Sequence, residues 1–246
     1  MGRPRGQALR RVPLRDLALP ARGQGGVKLL LGTTNPGKTR EILAILGDIP
    51  GIRWLTPAEV PVPTVPETGT TFLENALLKA RTIAAATGYA TLAEDSGLEV
   101  DALGGAPGVQ SARYAGDPPD YAANNAQLLA ALAEVGDRRA RFRTVAALAL
   151  PEGRVWTAEG TLEGTIADAP RGRGGFGYDP LFVPVGETRT LAEMSAAEKN
   201  ALSHRRRALE GLRPFLTQLA VGTKSKRPGV RSLSLRYWRR GGKRRP

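Results

Sequence analysis

The chain contains 246 residues, enough for one large domain or two small ones, and its hydrophobic content of 41% allows a sizeable core. It contains no cysteine, which excludes disulfide bonds and thiolate chemistry. Its apolar runs are short, as in Val145–Leu150, and residues 1–20 lack the apolar block of a secretory signal. We therefore expect a cytoplasmic protein with no membrane-spanning segment.

The net charge of +13 is concentrated at the two ends of the chain. Residues 1–26 carry six arginines and one aspartate, and residues 222–246 carry ten lysines or arginines and no acid. The intervening segment, 27–221, has 20 basic and 22 acidic residues and is nearly neutral. This composition predicts a globular domain over 27–221 between two basic, disordered extensions, which would bind nucleic acid only non-specifically.

The first predicted strand begins at Val27, directly after the N-terminal basic stretch. On this basis we hypothesise that translation starts near Val27. N-terminal sequencing of the natively expressed protein tests this, and a chain that begins at Gly2 or Arg3 would contradict it.

In chain order, the apolar patterns alternate between strands and helices. The two longest predicted strands are joined at Pro151–Gly153, which is typical of a hairpin. A combination of βα units with a hairpin predicts an α/β fold with a mixed sheet flanked by helices. The predicted strands are 27–31, 52–55, 89–93, 141–150 and 154–165, and the predicted helices are 38–46, about 71–87, 121–135 and a last helix that ends near 219.

The strongest chemical signal lies in residues 91–116. A predicted strand ends there in two adjacent acids, Glu94 and Asp95, which are followed by a Ser-Gly turn at 96–97. Adjacent carboxylates repel each other and are therefore typical of a site that holds a cation, although two exposed acids at a strand end are the alternative. Because the chain has no cysteine and one histidine, zinc is disfavoured and Mg²⁺ is predicted, which points to phosphate chemistry.

A second signal lies between the first strand and the first helix. Residues 32–39 read GTTNPGKT and satisfy the phosphate-loop pattern G-x-x-x-x-G-K-[ST]. In either a phosphate loop or another anion site, Thr33, Asn35 and Lys38 would face phosphate. A phosphate-loop NTPase or kinase is therefore a competing interpretation, with Glu94 and Asp95 as its metal-holding strand end.

The segment before the second helix carries Glu67, which lies where an acid is favourable through the helix dipole alone. Within the helix, Glu74, Lys79 and Arg81 fit a solvated face. By itself this segment indicates no particular chemistry.

The glycine-rich segment 174–180 contains Phe176, Gly177, Tyr178 and Asp179. Its glycines allow close approach of the backbone to a flat ligand, Phe176 offers a stacking face, and Asp179 can accept from a ring N–H. A flexible loop whose aromatic residues pack on the core is the alternative.

The only histidine, His204, lies in a late segment with Lys199 and Arg205. These cations can donate to base carbonyls or to phosphate. On one straight helix Lys199 and His204 would point about 140° apart, so convergence on one ligand requires long side chains or a helix that starts late.

Five segments, in this order and spacing, resemble the inosine triphosphate pyrophosphatase family over about residues 27–220. Any one match is weak, whereas five in order are strong. Glu94 stands where an Asp is common in the family, which keeps the charge, and the two basic tails have no counterpart. The matching residues are Thr33, Asn35 and Lys38, the D-S-G-L of Asp95–Leu98, the S-A-R-Y of Ser111–Tyr114, the F-G-Y-D of Phe176–Asp179, and Lys199 with Ser203, His204 and Arg205.

The resemblance implies an elongated α/β fold with two lobes and an active-site cleft between them, and a homodimer. It implies a Mg²⁺-dependent hydrolase that cuts ITP, dITP and XTP between the α- and β-phosphates and so cleanses the nucleotide pool. Asp95 would be catalytic, and Glu67 and Asp95 would hold the metal, with Glu94 as a further candidate. The implied substrate contacts are Thr33, Thr34, Asn35, Pro36, Gly37, Lys38 and Ser96 for the phosphates, and Phe176, Gly177, Tyr178, Asp179, Lys199, His204 and Arg205 for the purine.

Two other functions remain open on the sequence. A phosphate-loop enzyme would release orthophosphate or transfer a phosphoryl group from ATP, but it gives no role to Phe176–Asp179 or His204. A nucleic-acid-binding module would bind through the basic tails in a salt-dependent manner, but it leaves the motifs of the nearly neutral domain unexplained.

Overall fold

The computed structural model describes residues 26–222, so the predictions of disorder and polyanion binding for the two basic extensions lie outside the described residues. Six strands and five α-helices are assigned within this part of the chain. In order they are β1 (Val27–Leu31), α1 (Pro36–Leu46), β2 (Ile52–Leu55), α2 (Phe72–Thr87), β3 (Ala90–Val100), α3 (Tyr121–Ala131), β4 (Arg139–Ala149), β5 (Val155–Ile166), β6 (Phe182–Pro184), α4 (Ala196–Leu202) and α5 (His204–Val221).

The strands form one six-stranded sheet in the order β2-β1-β3-β4-β5-β6. The pairs β2–β1 and β1–β3 are parallel, and the pairs from β3 to β6 are antiparallel. The sheet is therefore mixed and flanked by helices, and the predicted α/β fold is confirmed, including the hairpin of β4 and β5. Between residues 26 and 222, no helix has both the length and the apolar character needed to cross a bilayer.

The predicted turn after Asp95 is wrong, because β3 continues through the acidic pair as far as Val100. Residues 91–100 pair without interruption with residues 140–149 of β4, and this ladder holds Ser96 and Gly97 in extended backbone. Gly97 has a packing role instead. A Cβ at this position would overlap the carbonyl oxygen of Gly108 and the hydroxyl of Ser111, which lie in a short 3₁₀-helix packed over the strand.

One face of β3 explains where the cleft lies. Alternate residues along a strand share a face, and on this face Ala90 and Leu92 belong to a hydrophobic cluster with α1 and α5, whereas Leu98 and Val100 belong to a second cluster near α3 and β6. Between the two apolar pairs the same face carries Glu94 and Ser96. The apolar surface is thus interrupted by polar residues at the middle of the sheet.

The opposite face of β3 packs on α2 through Ala93 and the small residues of that helix. Asp95 lies on this face, so the two adjacent acids point to opposite sides of the sheet. Asp95 lines the cleft, and Glu94 lies behind it; the cleft is open here because β1 pairs with β3 only as far as Leu92.

The segment 196–221 forms two helices rather than one. Ser203 has extended backbone (φ −64°, ψ 150°) and separates α4 from α5, and its side chain caps α5 by accepting from the amide of Arg206. This break allows Lys199 and His204 to line the same cleft. It corresponds to the late helix start that the sequence analysis named as one way for the two residues to converge. Helix α3 ends at Ala131, four residues before the predicted end.

Helix α5 lies close to the sheet at Gly160 of β5. A Cβ there would overlap the carbonyl oxygen of His204 and the amide nitrogen of Ala208. We expect Gly160→Ala to lower the free energy of unfolding by about 1–3 kcal/mol, because the backbone of α5 must move away. Urea denaturation measures this.

Gly136→Ala is the matched control, since a Cβ at Gly136 meets nothing within 4 Å. It should change the free energy of unfolding by less than about 0.5 kcal/mol. Equal denaturation midpoints for Gly160→Ala and the unaltered protein would contradict this account of the packing.

Candidate active site

The loop after β1 ends at a capped helix N-terminus. Asn35 caps α1, and its Oδ1 accepts from the amides of Gly37 at 2.9 Å and Lys38 at 3.2 Å. The helix already begins at Pro36, so the amides that a phosphate loop would present to a ligand are bonded within the protein. This geometry argues against the phosphate-loop interpretation, although Thr33, Asn35 and Lys38 do line the cleft.

The sequence also predicted phosphate contacts for Thr34, Pro36 and Gly37, and the structure places these three residues differently from one another. Thr34 lines the cleft. Pro36 and Gly37 form the first turn of α1, and a Cβ at Gly37 would lie 2.7 Å from the ring of Phe176. Gly37 thus allows the glycine-rich loop to approach the helix.

A buried arginine, Arg205, forms part of the cleft wall. The Nε of Arg205 donates to both carboxylate oxygens of Glu94, at 3.0 and 2.9 Å, and its Nη2 donates to Ser96 Oγ at 3.1 Å. Lys38 Nζ lies 3.4 Å from Glu94 Oε1. Burial alone would raise the pKa of Glu94, but the charges of Arg205 and Lys38 lower it to about 2. Glu94 is therefore engaged by protein cations, which argues against its role as a metal ligand.

Glu41 completes this network, and the sequence analysis missed it. Its carboxylate contacts Arg205 Nη1 and lies 2.7 Å from Lys199 Nζ, which also contacts Asp179. A signal was present, because Glu41 lies beside Ile42 and one turn from Ile45 on the buried face of α1. An acid in such an apolar stripe indicates a buried cation.

The glycine-rich loop brings an aromatic face next to cations. Lys199 Nζ lies 4.7 Å from the centroid of the Phe176 ring and the guanidinium carbon of Arg205 lies 5.7 Å from it. Asp179 accepts from the amide of Phe176 at 2.7 Å, which closes the loop. Burial raises the pKa of Asp179. The loop is thus preorganised to place a flat ring beside donors.

The remaining loop residues support this arrangement. Gly177 lines the cleft, and its carbonyl accepts from Asn125 of α3 at 3.1 Å. Tyr178 also lines the cleft, but its hydroxyl donates to the carbonyl of Ser111 at 2.9 Å, so this hydroxyl serves the fold.

His204 is buried at the base of the cleft. Its ring stacks on Phe142 with a centroid distance of 4.7 Å and an interplanar angle of 11°. Burial lowers its pKa well below 6.5, so the imidazole is neutral near pH 7. Among residues 26–222, its Nδ1 has no hydrogen-bond partner. This buried, unpartnered nitrogen has a hydrogen-bonding capacity that the described residues do not satisfy.

Tyr121 is a second residue that the sequence analysis missed. Its hydroxyl accepts from Asn35 Nδ2 at 3.0 Å, and its ring centroid lies 6.3 Å from that of Phe176. It therefore connects the loop after β1 with the glycine-rich loop across the cleft. The sequence offered no signal for this role beyond the start of a helix.

A separate cluster lies on the α2 side of β3. Lys79 Nζ lies 2.7 Å from Glu67 Oε1 and 3.1 Å from Asp95 Oδ1, and Asn75 donates to Asp95 Oδ2 at 3.1 Å. The expectation that Lys79 belongs to a solvated face is wrong. The position of Lys79 in the sequence of α2 could not show that Asp95 of β3 would lie next to it in the fold.

The charges of this cluster shift its pKa values in different directions. Burial raises the pKa of Asp95, and the nearby Lys79 only partly offsets this. Burial alone would raise the pKa of Glu67 as well, but Lys79 brings it below its ordinary value. The two carboxylates raise the pKa of Lys79 despite its burial, so it stays charged.

Lys79 lies between the carboxylates of Glu67 and Asp95, the two residues predicted from the sequence to hold Mg²⁺. Within residues 26–222, no group of three His, Cys, Asp or Glu is arranged to hold a metal. Mg²⁺ commonly binds through one or two carboxylates together with substrate phosphates and water. Glu67 and Asp95 fit that limited set of ligands.

The two clusters open into one cleft of about 360 Å³, within the usual range for a small-ligand site. The aromatic loop, Lys199 and His204 line one part of it, and the carboxylates Glu67 and Asp95 line another. A ligand with a flat ring and a polyanionic chain fits this arrangement chemically.

His204 generates a prediction about acid stability, because it is the only histidine in the chain. The pKa of His204 is well below 6.5 in the folded protein. As the pH falls below 6.5, His204 therefore binds a proton in the unfolded chain but not in the folded one. We expect the free energy of unfolding to decrease below that pH, by at most about 1.4 kcal/mol per pH unit. Urea denaturation at several pH values above and below 6.5 measures this.

The control for this prediction is His204→Gln, which removes the titrating group. In this variant the free energy of unfolding should no longer decrease with pH below 6.5, as long as the pH stays above the range in which carboxylates titrate. A slope that persists unchanged would show that another group causes it.

The comparisons with known proteins agree with this geometry. The sequence matches the model of the Ham1 family over residues 29–215. It is 52% identical over 196 residues to a dITP/XTP pyrophosphatase of Streptomyces coelicolor, which covers 78% of this chain and 98% of that protein. It is also 52% identical over 200 residues to a dITP/XTP pyrophosphatase of Mycobacterium tuberculosis, covering 79% and 98% respectively.

Solved structures show the same relation. A Ham1 protein from Coxiella burnetii superposes with a TM-score of 0.71 at 43% identity, covering 78% of this chain and 99% of that chain. A nucleoside-triphosphatase / dITP/XTP pyrophosphatase from Mycobacterium abscessus gives a TM-score of 0.63 at 47% identity, covering 77% and 100%. The resemblance inferred from the five motifs is confirmed, and the chain belongs to the Ham1 family.

Proposed function

We propose that this protein hydrolyses the non-standard purine nucleoside triphosphates ITP, dITP and XTP to the monophosphate and pyrophosphate, and so clears them from the nucleotide pool. The observation that carries this proposal is that the aromatic loop with its neighbouring cations and the carboxylate–lysine cluster line one cleft. Relatives of about 50% identity named dITP/XTP pyrophosphatase support the same reaction.

The base would stack on Phe176, with its edge toward Lys199, His204 and Arg205. Hypoxanthine and xanthine have an oxo group at position 6, which can accept from these donors, whereas adenine presents an amino group. A buried donor left unpaired costs about 1–3 kcal/mol, which corresponds to roughly fivefold to 150-fold discrimination against ATP.

The phosphates would bind near Thr33, Thr34, Asn35, Lys38 and Ser96. Glu67 and Asp95 would hold Mg²⁺, which when bound would neutralise phosphate charge. Displacement of Lys79 from these carboxylates would make its ammonium available to the phosphates.

Asp95 would orient and deprotonate the attacking water. Its two oxygens are held by Lys79 and Asn75, which fixes the direction of the lone pairs. Because burial raises its pKa, it is a stronger base than a solvated aspartate.

Two further expectations belong to this proposal. The first is a homodimer, which size-exclusion chromatography with light scattering tests; a monomer mass would contradict it. The second is a cytoplasmic location, which fractionation of cells expressing the native chain tests, and recovery of the protein in the membrane fraction would contradict it.

The first prediction concerns substrate and products. With Mg²⁺, we expect pyrophosphate from ITP, dITP and XTP and little from ATP or GTP, with pyrophosphate and orthophosphate assayed separately. Removal of Mg²⁺ with EDTA should abolish turnover. Orthophosphate from ATP would contradict the proposal and support an ATPase. Salt-dependent nucleic-acid binding without hydrolysis would support a binding module.

The second prediction concerns Asp95. We expect Asp95→Asn to lower kcat for XTP by at least about a hundredfold, because the general base and a metal ligand are both lost. Asp168→Asn is the control, since the Asp168 side chain is 90% exposed and pairs only with Arg138 among the described residues. Near-normal turnover of Asp95→Asn would rule out the role given to Asp95.

A further inference from the structure

The segment Ser111–Tyr114 is a motif of the sequence that the proposed reaction has not used. Its first residue, Ser111, lies against β3 next to the acidic pair. The hydroxyl of Ser111 accepts from the amide of Leu98 at 2.8 Å and donates to the carbonyl of Gly108 at 2.6 Å. The segment is therefore fixed to the strand that carries Asp95.

The backbone that follows is held equally firmly. Asn124 of α3 donates to the carbonyl of Ala112 at 2.9 Å and accepts from the amide of Ala115 at 2.7 Å. Gln127 donates to the carbonyl of Tyr114 at 2.8 Å. With the contact from Tyr178 to Ser111, these bonds fix the backbone on both sides of residue 113.

The side chain of Arg113, in contrast, has few partners. It lines the cleft, is 36% exposed, and its guanidinium lies 3.7 Å from Glu67 Oε2. Within residues 26–222 it makes no hydrogen bond to another residue. Lys79, by comparison, contacts two carboxylates. A firmly placed arginine with unused donors is suited to a ligand.

Like Lys79, Lys199 and Arg205 are each paired with two carboxylates. Both also lie next to Phe176, in the part of the cleft assigned to the base. Arg113 lies beside Glu67, in the part assigned to metal and phosphate. Its ligand is therefore expected to be a phosphate group rather than the purine.

We propose that Arg113 binds the β- and γ-phosphates of the substrate and the pyrophosphate that leaves. This inference rests on the proposed function. A guanidinium matches two phosphate oxygens in a bidentate manner, which an ammonium cannot do. When water attacks the α-phosphorus, the bond to the bridging oxygen breaks and its electron pair passes to the pyrophosphate. Arg113 stabilises that developing charge.

The test compares Arg113→Ala and Arg113→Lys with the unaltered protein at saturating Mg²⁺. We expect Arg113→Ala to raise the inhibition constant of pyrophosphate by at least about tenfold and to lower kcat, because a charge-assisted phosphate contact is lost. Inhibition by IMP should change by less than about twofold, since IMP lacks the leaving phosphates. Arg113→Lys should recover only part of the pyrophosphate affinity.

Arg143→Ala is the matched control. Its side chain is 37% exposed, forms ion pairs with Glu99 and Glu159, and is absent from the lining of the cleft. We expect its pyrophosphate and IMP inhibition constants to match those of the unaltered protein.

Two outcomes would overturn the inference. If Arg113→Ala shifts only the Mg²⁺ concentration needed for activity, Arg113 merely positions Glu67. If calorimetry with Mg²⁺ and pyrophosphate gives equal affinity for the unaltered protein and for both Arg113 variants, Arg113 does not bind pyrophosphate. The calorimetric result is independent of which nucleotide is hydrolysed, so it separates failure of this inference from failure of the proposed function.

Discussion

The buried side chain of Arg205 is the constraint on which the rest of the site depends. It is 2% exposed and is held by Glu94 from β3 and Glu41 from α1, so one guanidinium connects three elements. Removal of one partner from such a buried pair typically costs about 3–5 kcal/mol. The first turn of α5, where His204 and Arg205 lie, therefore has a fixed position relative to the sheet.

The positive charges in the cleft are balanced by carboxylates in and behind its lining. Its lining contains the cations Lys38, Lys79, Arg113, Lys199 and Arg205, together with the carboxylates Glu67, Asp95 and Asp179. Glu41 and Glu94 lie behind the cations and complete the balance. Because the lysines and Arg205 already have carboxylate partners, a nucleoside triphosphate must bring a neutralising metal or exchange partners with these carboxylates.

The sequence predicted the elements with a local signal. Capping residues such as Thr71 located helices, and the turn residues Pro151–Gly153 between two predicted strands located the β4–β5 hairpin. It also predicted that the Asp95, Phe176 and His204 segments act together, because five motifs occur in the order of a known family. The structure brings their side chains to one cleft. The individual roles of these residues stay predictions.

The errors came from interactions between segments that are distant in the chain. The Ser-Gly pair after Asp95 resembled a turn, but pairing with β4 keeps it extended. Lys79 resembled a surface lysine, but Glu67 and Asp95 surround it. The cation that forms an ion pair with Glu94 is Arg205. These residues are far apart in the chain, so no local pattern could identify the pair.

The sequence by itself determined the residue types of the site, the helix caps and the periodicity that gives an α/β fold, because these depend on neighbours within a few residues. The tertiary structure decided the partners. It placed Glu94 and Asp95 on opposite faces of one strand, gave the first to a buried arginine and the second to a lysine, and placed Arg113 beside Glu67. Coulomb and hydrogen-bond energies depend on distances of a few ångströms, and only the fold sets those distances.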